Sequence, residues 1–280
     1  MKRIAFLNSR YIEFKNAKIH IEDRGLQFSD SVYEVVPFYN YNLIDFDFHF
    51  LRLKFSLKQL NIKYYPKKIY LNNIFKKLIK INNLKSGIIY LQVTRGVQDR
   101  DHTYKNNLKP NVIIYLQKKL LNITLKKIKA KKAITYNDLR WKRRDIKSVS
   151  LLANVIAKKE ASKKNAYEAI LIDNNKITEA TSSNVWIVKN KTLITHPANS
   201  DILKGVTREA IKKIIKDNKL KFQEKTFTKN QLYKADEVFI TSSTSFVTPI
   251  IKIDSKFINN GKIGNISSQL ALIYSNLFLS

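Results

Sequence analysis

Short apolar runs with strand character alternate with amphipathic helical segments along almost the whole of this 280-residue chain. That alternation predicts domains that each mix helix and sheet, a mixed α+β class. In the first half the strand-like runs are residues 2–7, 17–21, 32–39, 43–46, 87–94 and 112–117. A helix over 48–60 places Phe48, Leu51 and Phe55 on one face. Pro66 opens a second helix, in which Ile69, Ile74, Leu78 and Ile81 recur at helical spacing. The basic stretch 118–122 reads as a connection, dividing the chain into domains 1–120 and 121–280. Beyond it, strands are expected at 123–128, 132–136, 168–173, 176–179, 184–188, 192–195, 222–227, 237–241 and 249–253. Helices are expected over 151–165, 207–218 and 267–278. Asn174-Asn175 reads as a hairpin turn.

Charge raises one functional class at once. Lys+Arg total 52 against 22 Asp+Glu, a formal +30, which suggests nucleic acid. Yet only 10 of those cations are Arg, the lysines are spread over nearly every segment, and Asn and Ile are abundant too. That is a global bias, not a selected patch, and no helix-turn-helix, zinc-finger or RNP motif accompanies it. A non-catalytic basic nucleic-acid binder is therefore the distant alternative, and no nucleic-acid partner is expected. The absence of cysteine excludes disulfides and thiolate metal sites and fits a reducing, cytoplasmic setting. No apolar run approaches the ~20 residues of a membrane span, and the first residues lack a signal-peptide core, so no membrane partner is expected. His20, His49, His102 and His196 lack ligand spacing, so no metal is expected.

One lysine stands apart from the rest. Lys147 lies where a short strand-like run meets Ser148 and Ser150, just before the apolar-periodic segment 151–161. Glu179, in Thr178-Glu179-Ala180-Thr181-Ser182-Ser183-Asn184, is a candidate partner. An amine that can form an imine and a carboxylate that can keep a ring nitrogen protonated are what pyridoxal phosphate chemistry requires. Taken alone, Lys147 reads more readily as a structural lysine snorkelling from a cleft, and Glu179 as a strand-end ion pair.

Several motifs together carry a family resemblance. They are Glu22-Asp23-Arg24-Gly25, Val32-Tyr33-Glu34-Val35-Val36, Arg52, Thr94-Arg95-Gly96, Asp145-Ile146-Lys147-Ser148, the Glu179 segment, and Leu203-Lys204-Gly205-Val206-Thr207-Arg208. In this order they resemble the fold-type IV pyridoxal-phosphate enzymes, a family of branched-chain and D-amino-acid aminotransferases, (R)-amine transaminases and aminodeoxychorismate lyases. The resemblance runs from Leu7 to the last helix. It implies a smaller N-terminal α/β domain, a larger C-terminal coenzyme-binding domain with a β-barrel-like sheet core, and a homodimer.

The resemblance also implies roles. Lys147 would hold pyridoxal 5'-phosphate covalently and then shuttle a proton, with Arg143 and Arg144 favouring its neutral form. Glu179 would face the ring nitrogen, and Ser182 would belong to a cluster of donors for the phosphate or ring oxygen. Arg52, Val206, Thr207, Ser242, Ser243 and Thr244 would form the phosphate cup, and Leu203 would pack on the ring. Tyr33, Arg100 and His102 would trap the substrate α-carboxylate, the last two reaching across the dimer interface. Arg100 and His102, one residue apart in an extended loop, would point to the same side. That pattern favours a D-amino-acid aminotransferase, moving an amino group from D-alanine to 2-oxoglutarate in a ping-pong cycle. Branched-chain aminotransferase and aminodeoxychorismate lyase are the alternatives within the fold. Two departures bear on substrate choice: Ser29 and Ser31 replace family glycines around Asp30, and Asp99 and Asp101 flank the trap.

Overall fold

The computed structural model describes residues 3–121 and 128–279; the strand expected over 123–128 falls almost wholly outside them. The chain divides into two units, Met1–Leu121 with Ile146–Ser150, and Asn122–Asp145 with Leu151–Ser280.

The first unit runs β1 (Ile4–Leu7), β2 (Arg10–Glu13), α1 (Arg24–Gln27), β3 (Ser31–Tyr39), β4 (Asn42–Leu43), α2 (Phe46–Gln59), α3 (Lys68–Asn82), β5 (Ser86–Thr94) and β6 (Asn111–Lys118). Its strands form one antiparallel sheet in the order β2-β1-β6-β5-β3-β4. Alternate residues of β3, Val32, Val36 and Phe38 among them, bury against Leu53 and Leu57 of α2 and Leu71, Phe75 and Leu78 of α3. In α3 the buried stripe is Leu71, Ile74, Phe75, Leu78 and Ile79, so Ile69 and Ile81 of the expected face lie exposed. In α2 the inward face carries His49, Leu53, Ser56 and Leu57, while Leu51 and Phe55 face solvent. Apolar periodicity selected the wrong stripe there, because half of the buried stripe is polar. The run 17–21 is no strand: Arg10–Glu13 takes the place beside β1, and Ile21 is exposed.

The second unit contains β7 (Lys131–Asn137), α4 (Leu152–Lys163), β8 (Glu168–Asp173), β9 (Lys176–Ala180), β10 (Asn184–Lys189), β11 (Thr192–Thr195), α5 (Val206–Asp217), β12 (Phe222–Glu224), α6 (Lys229–Tyr233), β13 (Glu237–Ser242), β14 (Phe246–Ile253), β15 (Lys256–Phe257) and α7 (Asn265–Asn276). Strands pair in the order β12-β11-β10-β13-β14-β7-β8-β9, with β15 on β14. The β9 strand also touches β10, so the sheet curls upon itself. Its core joins Ile170, Ile177, Val185, Ile187, Ile240 and Ile250 with Phe227 and Leu232.

Tight hairpins depend on asparagine. Asn8-Ser9, Asn40-Tyr41, Asn174-Asn175 and Asn190-Lys191 all take positive φ at both central positions. This is the geometry that matches strand twist in a two-residue turn. In a chain with only six glycines, asparagine is the residue that tolerates it best.

Candidate active site

Far along the chain from the rest of its unit, the segment Ile146–Ser150 is stitched into the first unit. Ile146 buries its side chain in the core with Leu53 and Phe75. The backbone of Lys147 is held at both ends: its N–H donates to Ser56 Oγ at 3.1 Å and its carbonyl accepts from Tyr33 N–H at 3.0 Å. Val149 N–H donates to the Ser31 carbonyl at 3.2 Å. The free part of Lys147 is its side chain, whose Nζ lies 4.2 Å from the centre of the Tyr33 ring. Two residues expected in separate roles, Lys147 for the coenzyme and Tyr33 for the substrate carboxylate, are thus neighbours.

Behind them lies a buried charge cluster that sequence reasoning missed, apart from Arg52. Glu34 Oε1 and Oε2 accept from Arg52 Nε and Nη2, both at 2.8 Å, and His49 Nδ1 is 2.6 Å from Glu34 Oε2. Burial works to raise the Glu34 carboxyl, but Arg52 and then His49 overcome it and hold the group well below the usual carboxylate range. Burial pushes the His49 imidazole below its ordinary value against the pull of Glu34, with Arg52 and Lys147 adding to the push. A neutral imidazole beside an acceptor-only carboxylate carries its proton on Nδ1 and donates it. The signal available in sequence was the spacing His49-x-x-Arg52, one helical face of α2.

Arg100 and His102 occupy a bend, not an extended loop. Asp101 Oδ1 accepts from Thr103 N–H at 2.9 Å and from its hydroxyl at 3.1 Å, which closes the bend. Those bonds also hold the Asp101 carboxyl below its ordinary value. Both side chains nevertheless lie against one ring: Arg100 Cζ is 5.0 Å from the centre of Phe28, and the His102 ring 5.5 Å from it. Ser29 takes φ +55°, a left-handed backbone that glycine would adopt without strain.

In the second unit the centre is Glu179, on β9 and 4% exposed. Its carboxylate accepts from Arg140 Nη1, from Asn184 Nδ2 at 3.0 Å, and from the Leu203 backbone N–H at 3.2 Å to each oxygen. Asn184 Nδ2 also reaches the Leu203 carbonyl at 2.9 Å. Glu179, Leu203 and the turn into α5 are therefore one hydrogen-bonded block. Burial pushes the Glu179 carboxyl above its ordinary value, with Arg140 opposing. Asp138 fixes Arg140 in turn, accepting from its Nε at 2.9 Å and Nη2 at 2.7 Å. Arg143 and Arg144 are committed to carboxylates, Asp145 for the first and Asp138 and Asp173 for the second.

Gly205 precedes α5, whose first residues are Val206 and Thr207. The Thr207 hydroxyl is buried with no hydrogen-bond partner among the described residues, and the first N–H groups of a helix lack intrahelical acceptors. An orphaned hydroxyl beside such donors fits a phosphate. A Cβ on Gly205 would stand 1.9 Å from Asn184 Oδ1, and that amide is not free to swing away. We expect Gly205→Ala to cost about 1–3 kcal/mol, read as a thermal midpoint lowered by roughly 2–4 °C per kcal/mol. An unchanged melt would show that the turn relaxes freely.

Other expected donors are placed differently. The Ser182 hydroxyl donates to the fully buried Glu168 at 2.8 Å, joined there by Thr181 and Ser183. Glu168 thus organises the Ser/Thr turn, which its place in an apolar strand gave no reason to expect. Ser242 Oγ lies 2.6 Å from Ser245 Oγ within the turn that also holds Ser243 and Thr244.

Residues 31–253 match the model for amino-transferase class IV. The chain is similar to the D-alanine aminotransferase of Bacillus licheniformis, at 40% identity over 98% of this chain and 96% of that one. It superposes on the Escherichia coli branched-chain amino acid aminotransferase with a TM-score of 0.91 and 23% identity, covering 99% and 95% of the two chains. The branched-chain aminotransferase of the archaeon Thermoproteus uzoniensis, solved with norvaline, gives 0.89 at 23% identity, covering 100% and 95%. These likenesses bear out the expected α+β fold.

Proposed function

The chain belongs to the class IV amino-transferases, and on that premise we propose that it moves an amino group from a D-amino acid, D-alanine first, to a 2-oxo acid such as 2-oxoglutarate. The approach of both Arg100 and His102 to Phe28 is the observation that carries the choice of substrate. Two donors gathered on one ring can share a single carboxylate, and the relative named for D-alanine supports the same choice.

Pyridoxal phosphate, when bound, supplies an aldehyde carbon that takes up the amino group and a ring that withdraws the electrons left at the substrate Cα. The residues supply the rest. Lys147 Nζ would be the covalent anchor for the coenzyme and the base that carries the substrate Cα proton. Its fixed backbone and the Tyr33 ring beneath it limit where that nitrogen can travel. Glu179, with its affinity for a proton raised by burial, would be the carboxylate that keeps the ring nitrogen protonated. Its bonds to Asn184 and Leu203 keep it aimed, so no reorganisation is needed during reaction. Thr207 and the α5 N-terminus would hold the phosphate, with Arg52 and the 242–244 turn as the further donors and Leu203 as the ring contact that the family resemblance implies. Tyr33, Arg100 and His102 hold the substrate carboxylate. We take the working form to be a homodimer, in keeping with the exposed apolar face of Leu152, Val155 and Ile156 on α4.

The purified protein, loaded with pyridoxal phosphate and given D-alanine and 2-oxoglutarate, is expected to form pyruvate and D-glutamate. Its turnover with L-alanine or L-leucine as donor should be lower by about 100-fold or more, the scale of a misplaced substrate. L-glutamate as the product, or L-leucine as the preferred donor, would overturn the reading.

A further inference from the structure

The loop that carries Arg100 and His102 is tied down by a buried guanidinium. Arg24, on α1, is 4% exposed. Its Nη1 donates to the carbonyl oxygens of Asp101 at 2.6 Å and Thr103 at 3.2 Å, and its Nη2 to that of His102 at 3.3 Å. Three successive carbonyls of an exposed loop thus converge on one planar fork, a pattern that a flexible ammonium cannot supply. The fork is itself oriented, because Arg24 Nε donates to Asp30 Oδ2 at 3.0 Å.

Asp30 is held from the other side. Arg95 Nε and Nη2 reach its two carboxylate oxygens at 2.6 and 2.9 Å, and the same guanidinium donates to the carbonyls of Leu60 and Asn61. Next to Arg24, the Phe28 ring lies 4.6 Å from the Arg24 Cζ and carries Arg100 and His102 on it. The backbone of the loop therefore hangs from Arg24, and its two donor side chains rest on Phe28.

We propose that Arg24, clamped by Asp30, and Phe28 are positioning residues that set Arg100 and His102 for capture of the substrate α-carboxylate, an inference that rests on the function proposed above. The ordering cost of an exposed loop is met in the folded protein before substrate arrives, so more of the carboxylate's interaction energy is available for binding. The consequence is a specific kinetic signature. Loosening the loop weakens capture and raises KM, while the chemistry at Lys147 in the saturated enzyme changes little.

The test uses the coenzyme-loaded full chain and three variants, Arg24→Lys, Phe28→Leu and Arg100→Ala. For Arg24→Lys the expected results are a D-alanine KM raised about tenfold or more with kcat within about threefold. Amide hydrogen exchange in residues 98–104 should also quicken by about tenfold or more, measured without substrate. Phe28→Leu should raise KM in the same direction, and it carries the test alone if Arg24→Lys does not fold. A KM within about twofold of the parent's, or unaltered exchange, in the folded variant overturns the inference. Arg100→Ala separates this failure from that of the underlying reading. If it raises KM while Arg24→Lys and Phe28→Leu do not, only the positioning role falls. If Arg100→Ala leaves KM unchanged, carboxylate capture by this loop falls and the inference with it.

Discussion

Lys147→Ala is expected to abolish the visible absorbance of the bound coenzyme and to lower transamination by at least about 10,000-fold, since it removes both the covalent anchor and the base. The variant should fold. Lys147 is fixed through its backbone, by Ser56 and Tyr33, and Ile146 supplies the buried anchor of the segment. None of those contacts uses the side chain, so a thermal melt without coenzyme should match that of the coenzyme-free parent. Lys189→Ala, at an exposed lysine paired with Asp236, serves as the control and should leave absorbance and turnover unaltered. In a chain with so many lysines the contrast between these two is the meaningful quantity. Retention of the absorbance, or turnover within about tenfold of the parent's, would contradict the role given to Lys147.

Glu179→Gln should lower kcat by about 100- to 1,000-fold, the scale for removing one preorganised electrostatic partner of a transition state. The coenzyme should still bind through Lys147 and the phosphate donors. Glutamine keeps the shape but offers one acceptor and two donors, whereas Glu179 faces donors on every side: Arg140, Asn184 and the Leu203 N–H. Some loss of stability therefore accompanies the kinetic loss, and Glu179→Asp separates the two by keeping the charge while shortening the reach. Substantial recovery of kcat in the aspartate variant is the expected result. A Glu179→Gln enzyme with kcat within about threefold of the parent's would remove the carboxylate from the chemistry.

Strands and tight turns were well written in the sequence. The hairpin at Asn174-Asn175 announces itself by its flanking apolar runs, and β8 and β11 coincide with the expected spans. Elements without a strong apolar signature were missed. Examples are β2, and the short α6, which depends on a capping box between Thr228 and Gln231. The inward faces of α2 and α3 were both misread, and in α2 function is the reason. The inward face of α2 gives up apolar residues to His49 and Ser56, which serve Glu34 and the Lys147 backbone, so a reading of hydrophobic period settled on Leu51 and Phe55 instead. Motif order named Lys147, Glu179 and the Arg100/His102 pair, but the residues that orient them lie far away in sequence. Arg140 reaches Glu179 across 39 positions and Arg24 reaches His102 across 78. Only the fold brings such partners together.

The most direct test of the account is a single half-reaction without acceptor, followed by the absorbance of the coenzyme on the parent enzyme. D-alanine should bleach the visible band within the time of a few turnovers and release one pyruvate per site, while L-alanine at the same concentration leaves the band unchanged over that time. A band bleached by L-alanine and indifferent to D-alanine would contradict the proposed function.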